Sequence, residues 1–350
     1  MESITKLVRP NILALKPYSS ARSEFDGEAE VFLDANENPY GEGLNRYPDP
    51  LQRALKAQIS QLKGVPADRI FLGNGSDEAI DLLLRIFCQP GQDHIITLPP
   101  TYGMYKVSAG IADVAIRTVP LLPGFQPDVK GILSIANPQS KLLFLCSPNN
   151  PTGNDFTPAT MRRLLDEFPG IVVVDEAYID FSTQSSCLEW LKDYPRLVVL
   201  QTFSKAWGLA GIRLGMAFAV PALIRLFNAV KPPYNINQLT QQAALKALRD
   251  RETFEAQMLT LLAERERLRR ELAALPFVQQ VYPSSANFLL TQLEAPDTCY
   301  RYLMDQKIIV RNRSRVALCE GCLRMTVGKP TENDQLLTAL QAFIPTNTSL

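Results

Sequence analysis

Histidine is almost absent from this chain, with His94 the only one among 350 residues. A metal centre built on imidazole has little to work with, because a structural zinc site takes four ligands. Cysteine does not make up the shortfall. Cys319 and Cys322 form one C-x-x-C, but no second Cys or His pair accompanies it, and Cys88, Cys146, Cys187 and Cys299 are scattered along the chain. Neither a metal nor a disulfide framework is expected from that distribution. A charge excess is missing too: 36 Lys and Arg balance 36 Asp and Glu, so the composition does not point to a nucleic-acid partner. No stretch reaches the roughly 18 apolar residues that a membrane span requires. The opening MESITKLVRPNILALKPYSSAR lacks the apolar core and small-residue cleavage site of a secretory signal. The expectation is a cytoplasmic protein with no membrane partner.

Two further absences narrow the class. No internal repeat or low-complexity tract is visible, which removes solenoids and disordered arrays. No G-x-x-x-x-G-K-[ST] loop exists. An apolar strand ending in Asp175-Glu176 would otherwise suggest the magnesium-holding strand of a nucleotide hydrolase, but such an enzyme needs that phosphate loop.

What is present is a hydrophobic fraction of 46% and a length that, at roughly 150 residues per domain, suggests two domains. Helix and strand signals alternate through the middle. Ser76 is placed to cap a helix through Phe87, HIITL follows as a strand, and KLLFLC precedes Thr157-Pro158, which read as the cap and first residue of the next helix. IVVVD and RLVVLQT complete a series of short apolar runs separated by helical segments, the pattern of a mostly parallel sheet covered on both faces. From about Asn237 the periodicity becomes that of a long helix, with Met258, Leu261, Leu262, Leu268, Leu272 and Leu275 on one face. The sign-alternating ERERLRRE, Glu264 to Glu271, reads as a solvated face. NFLLTQL and KIIVRNR read as strands and DQLLTALQAF as a last helix. The expected organisation is α/β: residues 1–40 joining a small domain and covering the site, 41–250 a large domain with a mostly parallel sheet between helices, and 251–350 a smaller α+β domain.

Ligands of open α/β sheets gather outside the carboxyl ends of the strands. There KLLFLC runs into SPNNPTG, IVVV into DEAYIDF and LVVLQT into FSKAWGLAGIRLG, so Asn150, Asp175 and Lys205 are expected at one edge. Each has a bland reading alone: SPNNPTG is dense in turn formers, and Ser204-Lys205 fits either a nucleophile with its base or a surface lysine beside an exposed serine.

Taken together in order, the NPTG turn, Asp175 with Tyr178 three residues on, and Ser204-Lys205 with Arg213 eight residues after the lysine resemble the class II, fold-type I pyridoxal-phosphate aminotransferases. KPYSSAR, LDANENPYG, NRYPDP, LGNGSDEAIDLLLRIF, PPTYGMY, PPYNIN and CLRMTVG extend the resemblance over nearly the whole chain, toward the histidinol-phosphate branch of that family. The resemblance implies a fold-type I transferase fold, a pyridoxal 5'-phosphate cofactor, and ping-pong amino transfer between glutamate and a phosphorylated keto compound. Lys205 then condenses with the cofactor aldehyde and later moves a proton, and Asp175 pairs with the ring nitrogen. Asn150 and Tyr178 would hydrogen-bond the ring's phenolic oxygen, and Tyr102 would stack on its face, although a turn-filling role suits that tyrosine nearly as well. For the cofactor phosphate the implied ligands are the Gly75, Ser76 and Asp77 backbone at a helix N-terminus, Ser204, Arg213, and Tyr47 donated by the second subunit of a homodimer. Asp77 carries the wrong charge for that neighbour, so its carboxylate is expected to point aside. Arg324 is implied to grip the substrate's carboxylate or phosphate, helped by Arg311, with Tyr18 and Arg22 reaching the phosphate end from the N-terminal segment. Another fold-type I enzyme (an aromatic aminotransferase or a threonine-phosphate-type decarboxylase) and a non-catalytic cofactor-binding regulator remain as alternatives.

Overall fold

The structure, a computed structural model, describes residues 2–18, 21, 30–41 and 43–345. Its large sheet has seven strands: β1 (Ile70–Asn74), β2 (His94–Thr97), β3 (Ala115–Thr118), β4 (Ser140–Cys146), β5 (Ile171–Asp175), β6 (Leu197–Thr202) and β7 (Leu214–Phe218). They lie in the order β1-β7-β6-β5-β4-β2-β3, with β7 antiparallel to both β1 and β6 and the other pairs parallel.

Burial on both faces explains the near-continuous apolar strands. Val172, Val174 and Val199 join one core cluster with Met161 and Leu164 of the Pro158–Glu167 helix. Their neighbours Ile171, Val173 and Val198 join the other, with Leu83 of the Gly75–Phe87 helix and Phe227. Successive strand residues point to opposite faces, so one run of valines serves two layers of helix. Thr157 caps its helix by accepting from the Thr160 amide, with Pro158 in the first turn. The Gly75–Phe87 helix begins two residues earlier than its sequence signal, with Asn74 rather than Ser76 at the cap position.

The smaller sheet is antiparallel, in the order β10 (Arg311–Asn312), β11 (Cys322–Thr326), β9 (Phe288–Leu293), β8 (Val278–Val281). Its core joins Leu289 and Leu323 to Leu268 and Leu272 of the Arg251–Ala273 helix and to Leu337 and Leu340 of the Pro330–Ala342 helix.

Four further features differ from the sequence reading. The long periodic segment is two helices, Gln238–Arg249 and Arg251–Ala273, because Asp250 leaves helical geometry and its side chain caps the second by accepting from the Thr253 amide. The strand expected over KIIVRNR shrinks to Arg311–Asn312, since Lys307 turns left-handed at φ 61° and the Ile308 amide closes back onto the Leu303 carbonyl. ERERLRRE is only partly a solvated face: Glu264 is buried, accepting from Arg267 at 2.7 Å and from Asn333 Nδ2 at 2.7 Å. Arg265 donates to the Phe181 and Ala286 carbonyls at 3.1 and 3.0 Å, tying that helix to the loop after β5. The chain start, finally, packs on the large layer rather than the small one. Ile4 and Val8 enter the cluster around Leu83 and Phe227, and the Arg9 amide donates to the Ile86 carbonyl at 3.0 Å.

All six thiols are buried and free. Among the described residues no helix is long and apolar enough to cross a membrane.

Candidate active site

Three adjacent strands set out the centre of the site. Cys146 at the end of β4 lies in register with Asp175 at the end of β5, and β6 ends at Thr202, three residues before Lys205. The chain order also reverses around β2, whose neighbours are β3 and β4, which opens a crevice at the carboxyl edge. A cavity of about 670 Å³ occupies it. Its lining includes Asn150, Asp175, Tyr178, Lys205 and Tyr102, then Gly75, Ser76, Asp77, Ser204 and Arg213, and Arg311 and Arg324 from the small sheet.

Asp175 is 2% exposed. Burial pushes its carboxyl up to about 6, against two donors that favour the ionised form: the Tyr105 hydroxyl at 2.6 Å and the Ala177 amide at 3.2 Å. The Lys205 amine sits 5.5 Å from the centroid of the Tyr178 ring. Burial and then the Arg324 charge push its pKa down, with Asp175 and Asp77 opposing. Both changes bring the pKa of an amine and that of a carboxyl closer together within one cavity. Tyr178 is itself held in place edge-on to Phe288, at 5.2 Å between centroids, and burial raises its hydroxyl pKa.

The end near the Gly75–Phe87 helix is a cradle. Gly75 is left-handed at φ 70°, its amide donates to the Arg213 carbonyl at 2.8 Å, and a Cβ on it would stand 2.7 Å from the Arg213 guanidinium. Gly215 on β7 is needed for the close seating of that helix, since a Cβ there would lie 2.1 Å from the Ser76 amide nitrogen. Glycine at both positions leaves the helix's first amides open to an anion. Arg213, itself left-handed at φ 53°, lies 3.5 Å from the Ser204 hydroxyl and 3.5 Å from the Asp77 carboxylate. Asp77 also accepts from the Tyr102 hydroxyl at 3.0 Å, so its carboxylate is occupied by side chains and its backbone remains for the cradle.

At the opposite end Arg324 donates to the Asn150 Oδ1 at 2.5 Å and lies 5.2 Å from the Phe288 ring centroid. Arg311 faces it across the β10–β11 ladder. The donor set fits the phosphorylated pyridine aldehyde implied by the resemblance: an amine and a carboxylate in one cavity, and beside them a glycine cradle that a Cβ would fill.

Not every predicted residue lines this cavity. Tyr47 is 50% exposed and stacks on Tyr234 at 4.4 Å between centroids, beside a second, shallower cavity that also takes in Glu37 and Leu239. Tyr18 is 74% exposed. Arg22 lies outside the described residues. Two residues of consequence were missed. Tyr105, fully buried and stacked on Phe144 at 4.5 Å, donates to Asp175; its position three residues after Tyr102, in the same PPTYGMY segment, was the available signal. Arg313 also lines the cavity, and its only sequence mark was the two-residue step from Arg311.

The model of the family described as aminotransferase class I and II matches residues 23–340. A histidinol-phosphate aminotransferase of Parabacteroides distasonis is 54% identical over 341 residues, covering 97% of this chain and 99% of that protein. A histidinol-phosphate aminotransferase of Cytophaga hutchinsonii is 52% identical over 97% of this chain and 99% of its own length. Among solved structures, the histidinol-phosphate aminotransferase of Clostridium acetobutylicum superposes with a TM-score of 0.78 at 27% identity, covering 85% of this chain and 90% of that one. That of Sinorhizobium meliloti in complex with pyridoxal-5'-phosphate gives 0.78 at 24% identity, over 88% and 89%, a likeness of fold.

Proposed function

This chain belongs to the class I and II aminotransferases, and on that premise we propose that it interconverts L-histidinol phosphate and 2-oxoglutarate with imidazole-acetol phosphate and L-glutamate, a step of histidine biosynthesis. The observation that carries the reading is one cavity that holds a buried carboxylate, a partly desolvated amine, an anion cradle and, at the far end, the guanidiniums of the small sheet. Curated relatives at about half identity along nearly the whole chain support the choice of substrate.

Pyridoxal phosphate bound here supplies an aldehyde and a protonated ring able to take up the electrons released when the substrate loses its alpha proton. The protein's own residues do the rest. Lys205 Nζ, with its pKa lowered by burial, is the group that accepts and returns that proton. Asp175, ionised above about pH 6, places a negative charge at the end of β5 that favours a cation opposite it. Asn150 and Tyr178 offer an amide and a hydroxyl to a ring oxygen, and Tyr102 covers a ring face. The Gly75, Ser76 and Asp77 amides, Ser204 and Arg213 hold the phosphate by backbone and charge. Arg324 and Arg311 take the substrate's anionic group, and Tyr18 contributes from the N-terminal segment. Because the two half-reactions would use this cavity in turn, one pocket would serve both a carboxylate and a phosphate.

The same reading makes the protein a cytoplasmic homodimer in which Tyr47 reaches the neighbouring subunit's phosphate cradle, with domain limits near residues 41–250 and 251–350. The half-reactions test the function. Absorbance changes on adding glutamate and on adding L-histidinol phosphate, both abolished in Lys205→Ala, are expected. Carbon dioxide release from a phosphorylated amino acid, with no response to histidinol phosphate, would turn the reading toward a decarboxylase on the same fold.

A further inference from the structure

Three arginines of the small sheet face the cavity. Arg311 and Arg324 are cross-strand partners in the β10–β11 ladder. The Arg313 amide donates to the Cys322 carbonyl at 2.9 Å, which carries the antiparallel pairing one residue beyond β10. Residues two apart on an extended strand point to the same face, and cross-strand partners share a face. Arg311, Arg313 and Arg324 therefore project together, and all three line the cavity.

No acidic side chain among the described residues answers them. Among the described residues none of the three guanidiniums makes an ion pair, and the Nε atoms of Arg313 and Arg324 are buried with no hydrogen-bond partner. Arg324 bonds only the neutral amide of Asn150. Burial and the charges of Arg324 and Arg311 push the Arg313 guanidinium pKa down, as expected for a cation crowded by like charges. Buried donors left without acceptors are costly, and a cluster of like charges adds to that cost, so this arrangement is completed by a ligand of concentrated negative charge.

We infer that Arg313 binds substrate directly and, with Arg311 and Arg324, makes the pocket favour a phosphate monoester over a carboxylate. A carboxylate carries one charge and two oxygens, which a single planar guanidinium saturates in a bidentate pair. A phosphate monoester carries about −1.5 to −2 at neutral pH with three terminal oxygens, enough for three guanidiniums. The two substrates of the proposed reaction differ in this group, and the inference rests on that reading.

The experiment compares loaded parent enzyme with Arg313→Gln and Arg313→Lys. Losing one charge-assisted contact is expected to raise the KM for L-histidinol phosphate about tenfold to a hundredfold, while the KM for glutamate moves less than about threefold. Arg313→Lys, which keeps charge without the planar fork, recovers part of the loss. Calorimetric titration with inorganic phosphate is expected to show the same loss of affinity in Arg313→Gln. Equal changes for glutamate and histidinol phosphate, or unchanged phosphate affinity, overturn the inference. If the parent enzyme does not turn over histidinol phosphate, the proposed reaction falls, and the phosphate titration still decides Arg313. Should Arg313→Gln fail to fold, the Arg313→Lys titration carries the test, and full parental affinity there overturns it.

Discussion

The Tyr105 hydroxyl is the strongest single influence holding the Asp175 carboxylate ionised against its burial, so Tyr105→Phe isolates it. Asp175 accepts from that hydroxyl at 2.6 Å and from the Ala177 amide at 3.2 Å, and burial has already lifted it to about 6. A hydrogen bond to a charged group contributes about 1.5–3 kcal/mol. One pKa unit corresponds to about 1.4 kcal/mol, so removing the hydroxyl raises Asp175 by about one to two units. Its ionised fraction at pH 7 then falls from about nine-tenths to about a half or less. The stack on Phe144 at 4.5 Å needs only the ring, so phenylalanine keeps the packing. The assay is carboxyl carbon NMR titration of cofactor-free protein labelled at aspartate, with Asp175→Asn identifying the resonance. In the loaded enzyme the same change weakens the counter-charge to a protonated ring, so cofactor affinity falls in step as pH drops. A midpoint that stays within about half a unit of the parent's would refute the reasoning, because a charge-assisted bond of this length cannot then be what balances desolvation.

Two further outcomes are expected. The folded-state pKa of Asp175 lies about two units above its unfolded value of 3.8, so its stability contribution is intact below pH 4 and is lost as pH rises through 6, amounting to about 3 kcal/mol for a group with almost no solvent contact. Asp175→Asn in cofactor-free protein should gain that much on its parent between pH 4 and 7.5 in chemical unfolding, and a pH-independent difference would contradict the assignment. Mixing Tyr47→Ala with Lys205→Ala should generate dimers with one site that carries both native residues, and activity above either variant alone; no gain on mixing would place Tyr47 with its own subunit.

Much of the layout was legible in the residues. Short β-rich runs separated by capped helices declared a two-faced sheet, and polar motifs at the ends of KLLFLC, IVVV and LVVLQT put Asn150, Asp175 and Lys205 at one edge. Both signals are local: a strand buried on two faces must be apolar throughout, and the first polar residues after it emerge at the sheet's edge. Where the reading of ERERLRRE and of the chain start failed, the deciding interaction was distant in sequence. Glu264 looked solvated until Asn333, 69 residues away, was brought against it. The chain start was assigned to the small layer, but apolar Ile4 and Val8 carry no address, and the Ile86 carbonyl that receives Arg9 is visible only in three dimensions.

By itself the sequence determined the chemical inventory: an amine, a carboxylate, a glycine turn before a helix and arginines near the end of the chain, in an order that resembles one family. Tertiary structure alone decided how these groups act on one another. Desolvation of Asp175, its support by Tyr105 70 residues away, and the convergence of Arg313 with Arg311 and Arg324 all depend on distance and dielectric, and neither quantity is written in the order of residues.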